Sequence, residues 1–182
     1  MEFADRWRDV AAGDWKPVST AAIAGACLFA LYCAWFAHTG EGWVHLLDGA
    51  NLAFHEAGHP FFGLLLGEPI TVYGGTLGQL VFPVVAAASF WWRRETASFA
   101  VSLLWLAENL WNIARYMADA RAHELPLVGG GEHDWTEIFS RWGLLAHDTG
   151  VAGVVRTIGW VLMIGALVWL VRRRIADREF DS

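Results

Sequence analysis

The chain is poor in cysteine, in basic residues and in charge overall. Of its 182 residues, 2 are Cys and 18% are charged. Cys27 and Cys33 are too few for a disulfide framework or a thiolate zinc site. Both fall inside an apolar run, where cysteine behaves as a small buried hydrophobe. Thirteen Lys and Arg stand against nineteen Asp and Glu, for a net charge of −6. Without a basic stripe there is nothing to grip a phosphate backbone, so nucleic acid is excluded as a partner. Internal repeats, low-complexity tracts and linkers are absent too, and the length fits one domain spanning 1–182.

What is abundant is apolar. Hydrophobic residues make up 55% of the chain, with twelve Trp and eleven Phe, and the mean hydropathy is +0.35. Aromatic rings in such numbers suit a chain with many lipid interfaces. The composition points to an integral membrane protein with the lipid bilayer as its surroundings.

Four apolar runs approach the roughly 20 residues that span a bilayer. They are Val18–Ala37, Leu77–Trp92 with Pro83 inside, Ser98–Met117 with Glu108, Asn109, Asn112 and Arg115, and Val151–Val171 with Arg156 near its start. Trp35-Phe36-Ala37 lacks the small-x-small pattern of a cleavage site, so the first run reads as a retained helix. Asn51–Gly67 is shorter and carries His55, Glu56 and His59. The expected fold is an all-α integral membrane bundle of four full transmembrane helices plus this fifth, polar-centred helix. Helices are expected at about 18–37, 51–67, 77–92, 98–119 and 151–171, with an acidic extracytoplasmic loop at 120–150.

Charge sets the orientation. With four crossings, Arg6, Arg8, Lys16, Arg93, Arg94, Arg172, Arg173, Arg174 and Arg178 share one side, against Arg115, Arg121, Arg141 and Arg156 on the other. Counting Asn51–Gly67 as a fifth crossing turns that nine-to-four split into seven to six. The positive-inside rule selects four crossings, with both termini cytoplasmic. All seven histidines then lie in two extracytoplasmic stretches, His38–His59 and His123–His147, able to converge on one ion.

His55-Glu56-Ala57-Gly58-His59 is an HExxH motif. Histidines four apart share a helix face and offer two imidazoles to one Zn2+. Glu56, one position on, is placed to take a proton from a water on that ion, as general base and then acid. Ionisable residues in an apolar segment are costly and usually functional. Asp48 and Asn51 are expected N-caps of this helix. Gly58 and Pro60 are unusual inside one, and Pro60 is expected to kink it.

The motif, on a membrane helix followed by a polar break, resembles the intramembrane zinc proteases of the site-2 protease family. The resemblance implies that His55 and His59 are metal ligands, that Glu56 is catalytic, and that an aspartate on a later helix is the third ligand. That family carries an Asn…Leu-Asp-Gly pattern there. This chain has Asn112 followed by Ala118-Asp119-Ala120, so the resemblance points to Asp119.

Glu108, Asn112, Arg115 and Asp119 recur at helical spacing as one polar stripe. Asp119 either completes the zinc site, with Asn112 on substrate or behind the ligands, or pairs with Arg115 four residues away. The rival third ligand is His133, which follows Gly129-Gly130-Gly131-Glu132. Asp134 beside it either orients an imidazole, touches substrate or caps the next helix. His147-Asp148 is a further candidate pair, whereas His38, His45 and His123 read as interfacial. A rigid helix pre-organises a ligand better than a loop, which favours Asp119.

After the motif, Glu68-Pro69 breaks the helix. Ile70–Tyr73 has the composition of a short strand and Gly74-Gly75 of a turn. The stretch is either a re-entrant hairpin beside the metal, able to hold an extended peptide, or a loop before a helix starting near Leu77. The leading function is a zinc-dependent membrane hydrolase, a peptidase acting on a membrane protein or peptide. The alternatives are a non-catalytic metal-binding or metal-transport protein with a closed site, and a di-iron oxygenase. The last would call for adjacent histidine pairs, and the chain has none.

Overall fold

Ser19 starts the first helix by accepting a hydrogen bond from the Ala22 backbone N–H at 3.1 Å, which satisfies a donor that the helix itself cannot. In the computed structural model, which describes residues 14–128 and 132–180, six α-helices follow one another. They are α1 (Thr20–His38), α2 (Leu47–Leu66), α3 (Thr71–Trp92), α4 (Thr96–Ala118), α5 (Asp134–Trp142) and α6 (Asp148–Phe180). The described residues contain no strand. Arg6, Arg8 and the glycines at 129–131 lie outside the described residues.

Three segments are long and apolar enough to cross a membrane: Thr20–His38, Glu68–Trp92 and Leu145–Asp177. They cover α1, α3 and most of α6. The expected span at 98–119 is present as α4, but its polar residues keep it out of this set. It is the central helix, packed against α6, α3 and α1. Small residues at alternating steps of four and three let the backbones approach. Ala26, Ala30 and Cys33 of α1 meet Ala100, Leu104, Ala107 and Trp111 of α4 and Met163, Ala166 and Leu170 of α6. A second cluster joins Ile113, Ala114 and Met117 to Trp135, Ile138 and Phe139 of α5.

Both ends of the bundle are tied. At one end the Lys16 N–H donates to the Arg94 carbonyl at 3.0 Å, and the Val18 N–H donates to Asp177 at 2.9 Å. At the other, Arg121 grips Asp148 through two bonds of 2.9 and 2.7 Å. Lys16, Arg93 and Arg94 therefore gather at the end where α6 finishes, in line with the charge split read from the sequence.

Several expectations are corrected. The helix expected at 77–92 begins at Thr71, preceded by one 3-10 turn over Glu68–Ile70. Neither a re-entrant hairpin nor a strand forms, because Gly74 and Gly75 are needed inside a helix contact rather than in a turn. The helix expected at 51–67 begins at Leu47, with Leu46 at its cap. Asp48 and Asn51 are thus inside it and 1% exposed. Asp48 still reaches back to the Val44 N–H at 2.6 Å. Pro60, the expected kink, lies inside α2, which runs on to Leu66. The 120–150 stretch is not all loop, since it contains α5. The cap of α5 is His133 rather than Asp134, with its side chain accepting from the Thr136 N–H.

Candidate metal centre

α2 and α3 touch backbone to backbone, and glycine makes this contact possible. A Cβ on Gly58 would stand 2.1 Å from the Gly74 carbonyl oxygen, and one on Gly78 would stand 2.4 Å from that of Phe54. Gly74-x-x-x-Gly78 is the small-residue spacing that membrane helices use for close approach. This accounts for Gly58 in the middle of the motif. Gly75 does a different job, because a Cβ there would stand 2.4 Å from Nε2 of His55. The His55 imidazole rests on that bare stretch of α3.

With the helices this close, both imidazoles are fixed from behind. Nδ1 of His55 faces Gln79 Oε1 at 2.9 Å, and Nδ1 of His59 faces the Thr71 carbonyl at 2.8 Å. Each partner atom only accepts, so each Nδ1 carries a proton and each Nε2 is left to face the site. The two Nε2 atoms converge on one carboxylate oxygen, Asp134 Oδ2, at 2.9 Å from His55 and 3.3 Å from His59. The rings stand 4.9 Å apart at 80° to each other. Among the described residues these three form the group able to hold a metal ion, with their donor atoms within 4.8 Å of one another.

The donor set fits zinc. Ligands held at about 2.05 Å around a tetrahedral ion stand about 3.3 Å apart, close to the 2.9 and 3.3 Å from Asp134 Oδ2 to the two imidazoles. Imidazole nitrogens backed by a carbonyl and a carboxamide are the usual outer support of such ligands. Asp134 is held in turn, since its backbone N–H donates to the Tyr116 hydroxyl at 3.2 Å. The Tyr116 ring lies 5.7 Å from that of His55 and walls the site. Burial raises the Asp134 carboxyl, but the hydrogen bonds from His55 and His59 outweigh it and hold the group below the usual carboxylate range.

Glu56 is half-buried and makes no side-chain hydrogen bond among the described residues, while its charge acts on His59 and Tyr116. It is therefore beside the imidazole pair and uncommitted.

The structure does not bring Asp119 to that pair. Asp119 ends α4 and accepts the backbone N–H groups of Glu124 at 2.8 Å and Leu125 at 3.2 Å. Nor does it form the expected ion pair with Arg115. Its other neighbour is His133, whose Nε2 lies 3.4 Å from Oδ2. Nδ1 of His133 takes the Thr136 N–H as the α5 cap, which places the imidazole proton on Nε2, facing Asp119. Burial pushes His133 below the ordinary imidazole value, with Asp119 opposing it. Asp119 and His133 thus brace the α4–α5 connection, while Asp134, expected only as a supporting or substrate-contacting group, reaches the centre. Asn112 lies behind the site, on Gln79 and Asp48. His147 is exposed and Asp148 is taken by Arg121.

Gln79 and Tyr116 were not singled out from the sequence, and Asn109 was noted only as a polar residue of its apolar run. A buried carboxamide in an apolar helix is costly unless bonded, and that was the available signal for Gln79. Comparison of the chain with family models, with curated proteins and with solved structures finds no match.

Proposed function

We propose that the protein is a membrane-embedded zinc-dependent hydrolase, a peptidase in its chemistry. His55, His59 and Asp134 hold the ion, and Glu56 is the catalytic acid–base. The observation that carries this reading is the convergence of two Nε2 atoms on one carboxylate oxygen, with both Nδ1 atoms tied to acceptors. His55, His59 and Asp134 would hold the ion, which would supply an acidified water and polarise a substrate carbonyl. Glu56 takes the proton of the attacking water and passes it to the leaving amine. Tyr116, which accepts from the Asp134 N–H, keeps its own hydroxyl proton available to a substrate oxygen. A closed, four-ligand site would favour the non-catalytic metal-binding or metal-transport alternative. The three-donor set favours the enzyme.

In this reading α4 is the fourth crossing, shielded from lipid by α1, α3 and α6. Both termini are cytoplasmic, and the metal centre opens toward the extracytoplasmic side. The substrate is a membrane protein or peptide whose scissile bond reaches that depth. Zinc content of the purified protein tests the proposal. Wild type should carry about one ion per chain, and the His55→Ala/His59→Ala double variant none. Equal zinc in both would refute it.

A further inference from the structure

Four arginines stand toward the end of the bundle where α1 finishes, and two of them have no partner. Arg121 is held by Asp148 and Arg141 by Glu137. The side chains of Arg115 and Arg156 make no hydrogen bond, ion pair or ring contact among the described residues. Arg156 is exposed and lies inside the apolar segment Leu145–Asp177. Arg115 is half-buried in the last turn of α4. A guanidinium in or beside an apolar span is costly unless it meets a counter-charge.

Both side chains flank the C-terminus of α1. A Cβ on Gly42 would stand 3.3 Å from Cδ and Nε of Arg115 and 3.5 Å from the Ala37 carbonyl oxygen, so the Arg115 stem lies over the turn that follows α1. The Arg156 charge acts on His38, the last residue of α1. Trp111 and Trp160, each one turn from its arginine, pack on the His38 ring at 4.7 and 5.0 Å. The Trp111 indole N–H donates to the Arg156 carbonyl at 3.2 Å, which ties α4 to α6 at this level. The α1 C-terminus offsets only about half a charge. Glu41, exposed in the same turn, makes no ion pair with either arginine. On the Arg156 face of α6, Trp160 and Ile164 follow one and two turns deeper and are 37% and 56% exposed. Cations beside tryptophan, with an apolar strip leading inward, match the order of headgroup and acyl chain in a bilayer leaflet.

We propose that Arg115 and Arg156 together hold the phosphate of one phospholipid headgroup against the end of α1, with an acyl chain lying on Trp160 and Ile164. Guanidinium forks match phosphate oxygens in shape as well as charge. The apolar strip below them selects a lipid over a free anion. The site is separate from the metal centre and does not depend on it.

The test uses the full-length protein in neutral detergent and a phosphatidylglycerol with a photoreactive diazirine in its acyl chain. Labelling of the α6 peptide that carries Trp160 and Ile164 is quantified by mass spectrometry as the lipid is titrated. Wild type should label with saturation. Arg115→Gln and Arg156→Gln should each raise the half-saturating concentration about tenfold, the loss expected for a hydrogen bond between charged groups. Arg172→Gln, which removes an exposed cation near the other end of the same helix, should change it by no more than about twofold. Glu41→Gln should bind at least as tightly as wild type. If Arg115→Gln does not fold, Arg115→Lys, which keeps the charge without the fork, should lose about threefold. Wild-type curves in the arginine variants would overturn the proposal. So would equal losses in Arg156→Gln and Arg172→Gln, the mark of general attraction to surface charge. A photoreactive diacylglycerol that labels as well as the phospholipid would show that no phosphate is held. Displacement by inorganic phosphate at equal concentration would overturn the lipid in favour of a free anion. The titration needs neither zinc nor hydrolysis, so failure of the metal reading leaves it intact.

Discussion

Replacing Gly58 by alanine should damage the metal centre without any change to a ligand. The added Cβ would lie 2.1 Å from the Gly74 carbonyl oxygen, 2.9 Å from its carbon and 3.0 Å from Gly78 Cα. All three are backbone atoms, so no side chain can swing aside. A tolerable C···O contact is about 3.3 Å, which requires α2 and α3 to part by roughly 1.2 Å at this point. The two bonds that aim the imidazoles, 2.8 Å from His59 to Thr71 and 2.9 Å from His55 to Gln79, cross that same contact. Lengthened by as much, both would pass beyond hydrogen-bonding range. Overpacking of this kind costs about 1–3 kcal/mol, and loss of the outer hydrogen bonds lowers metal affinity about 10- to 100-fold. Gly49→Ala is the control, because it lies on the same helix with nothing within 4 Å of its Cβ position. Chelator competition on both variants, with helix content checked by circular dichroism, makes the comparison. Equal zinc affinity in the two would show that the close α2–α3 contact does not hold the site, and the argument from glycine would fail.

Other consequences follow from the same geometry. Glu56→Gln should retain zinc and lose peptide hydrolysis by at least about 100-fold, since an amide cannot take the proton; a variant that hydrolyses a fluorogenic peptide as well as wild type does would remove Glu56 from the mechanism. In a background lacking Cys27 and Cys33, a membrane-impermeant thiol reagent should reach Glu124→Cys from outside intact cells and Arg172→Cys only after lysis. The opposite pattern would invert the orientation that the charge split assigns.

The helical class and the place of the His55–His59 pair were legible because they rest on local patterns. Apolar run length marks α1 and α6, and the four-residue histidine spacing survives any tertiary arrangement. The start of α3 was misread because Ile70–Tyr73 and Gly74-Gly75 have the local chemistry of a strand and a turn. Their role is set by α2, whose Gly58 backbone needs glycine opposite it. The carboxylate that meets the two imidazoles is Asp134 rather than Asp119 for a similar reason. A helix-borne Asp119 looks better pre-organised than a residue beyond a glycine-rich loop. Yet α5, capped by His133 and packed through Trp135, Ile138 and Phe139, makes Asp134 helical too, and Tyr116 fixes its backbone. Such long-range contacts leave no trace in spacing. The polar stripe on α4 was visible, but its reading as Glu108, Asn112, Arg115 and Asp119 missed Asn109 and joined residues that serve two different layers.

The central claim is that His55, His59 and Asp134 hold one zinc ion. Its most direct test is the zinc dissociation constant of Asp134→Ala set beside that of Asp119→Ala, measured by competition with one chromogenic chelator. Removing one of three protein ligands from a zinc site should weaken binding by at least about 100-fold in Asp134→Ala, whereas Asp119→Ala, which loosens only the α4–α5 connection, should stay within about tenfold of wild type. The opposite ranking, with Asp119→Ala losing the metal and Asp134→Ala keeping it, would contradict the account and return the third ligand to the end of α4.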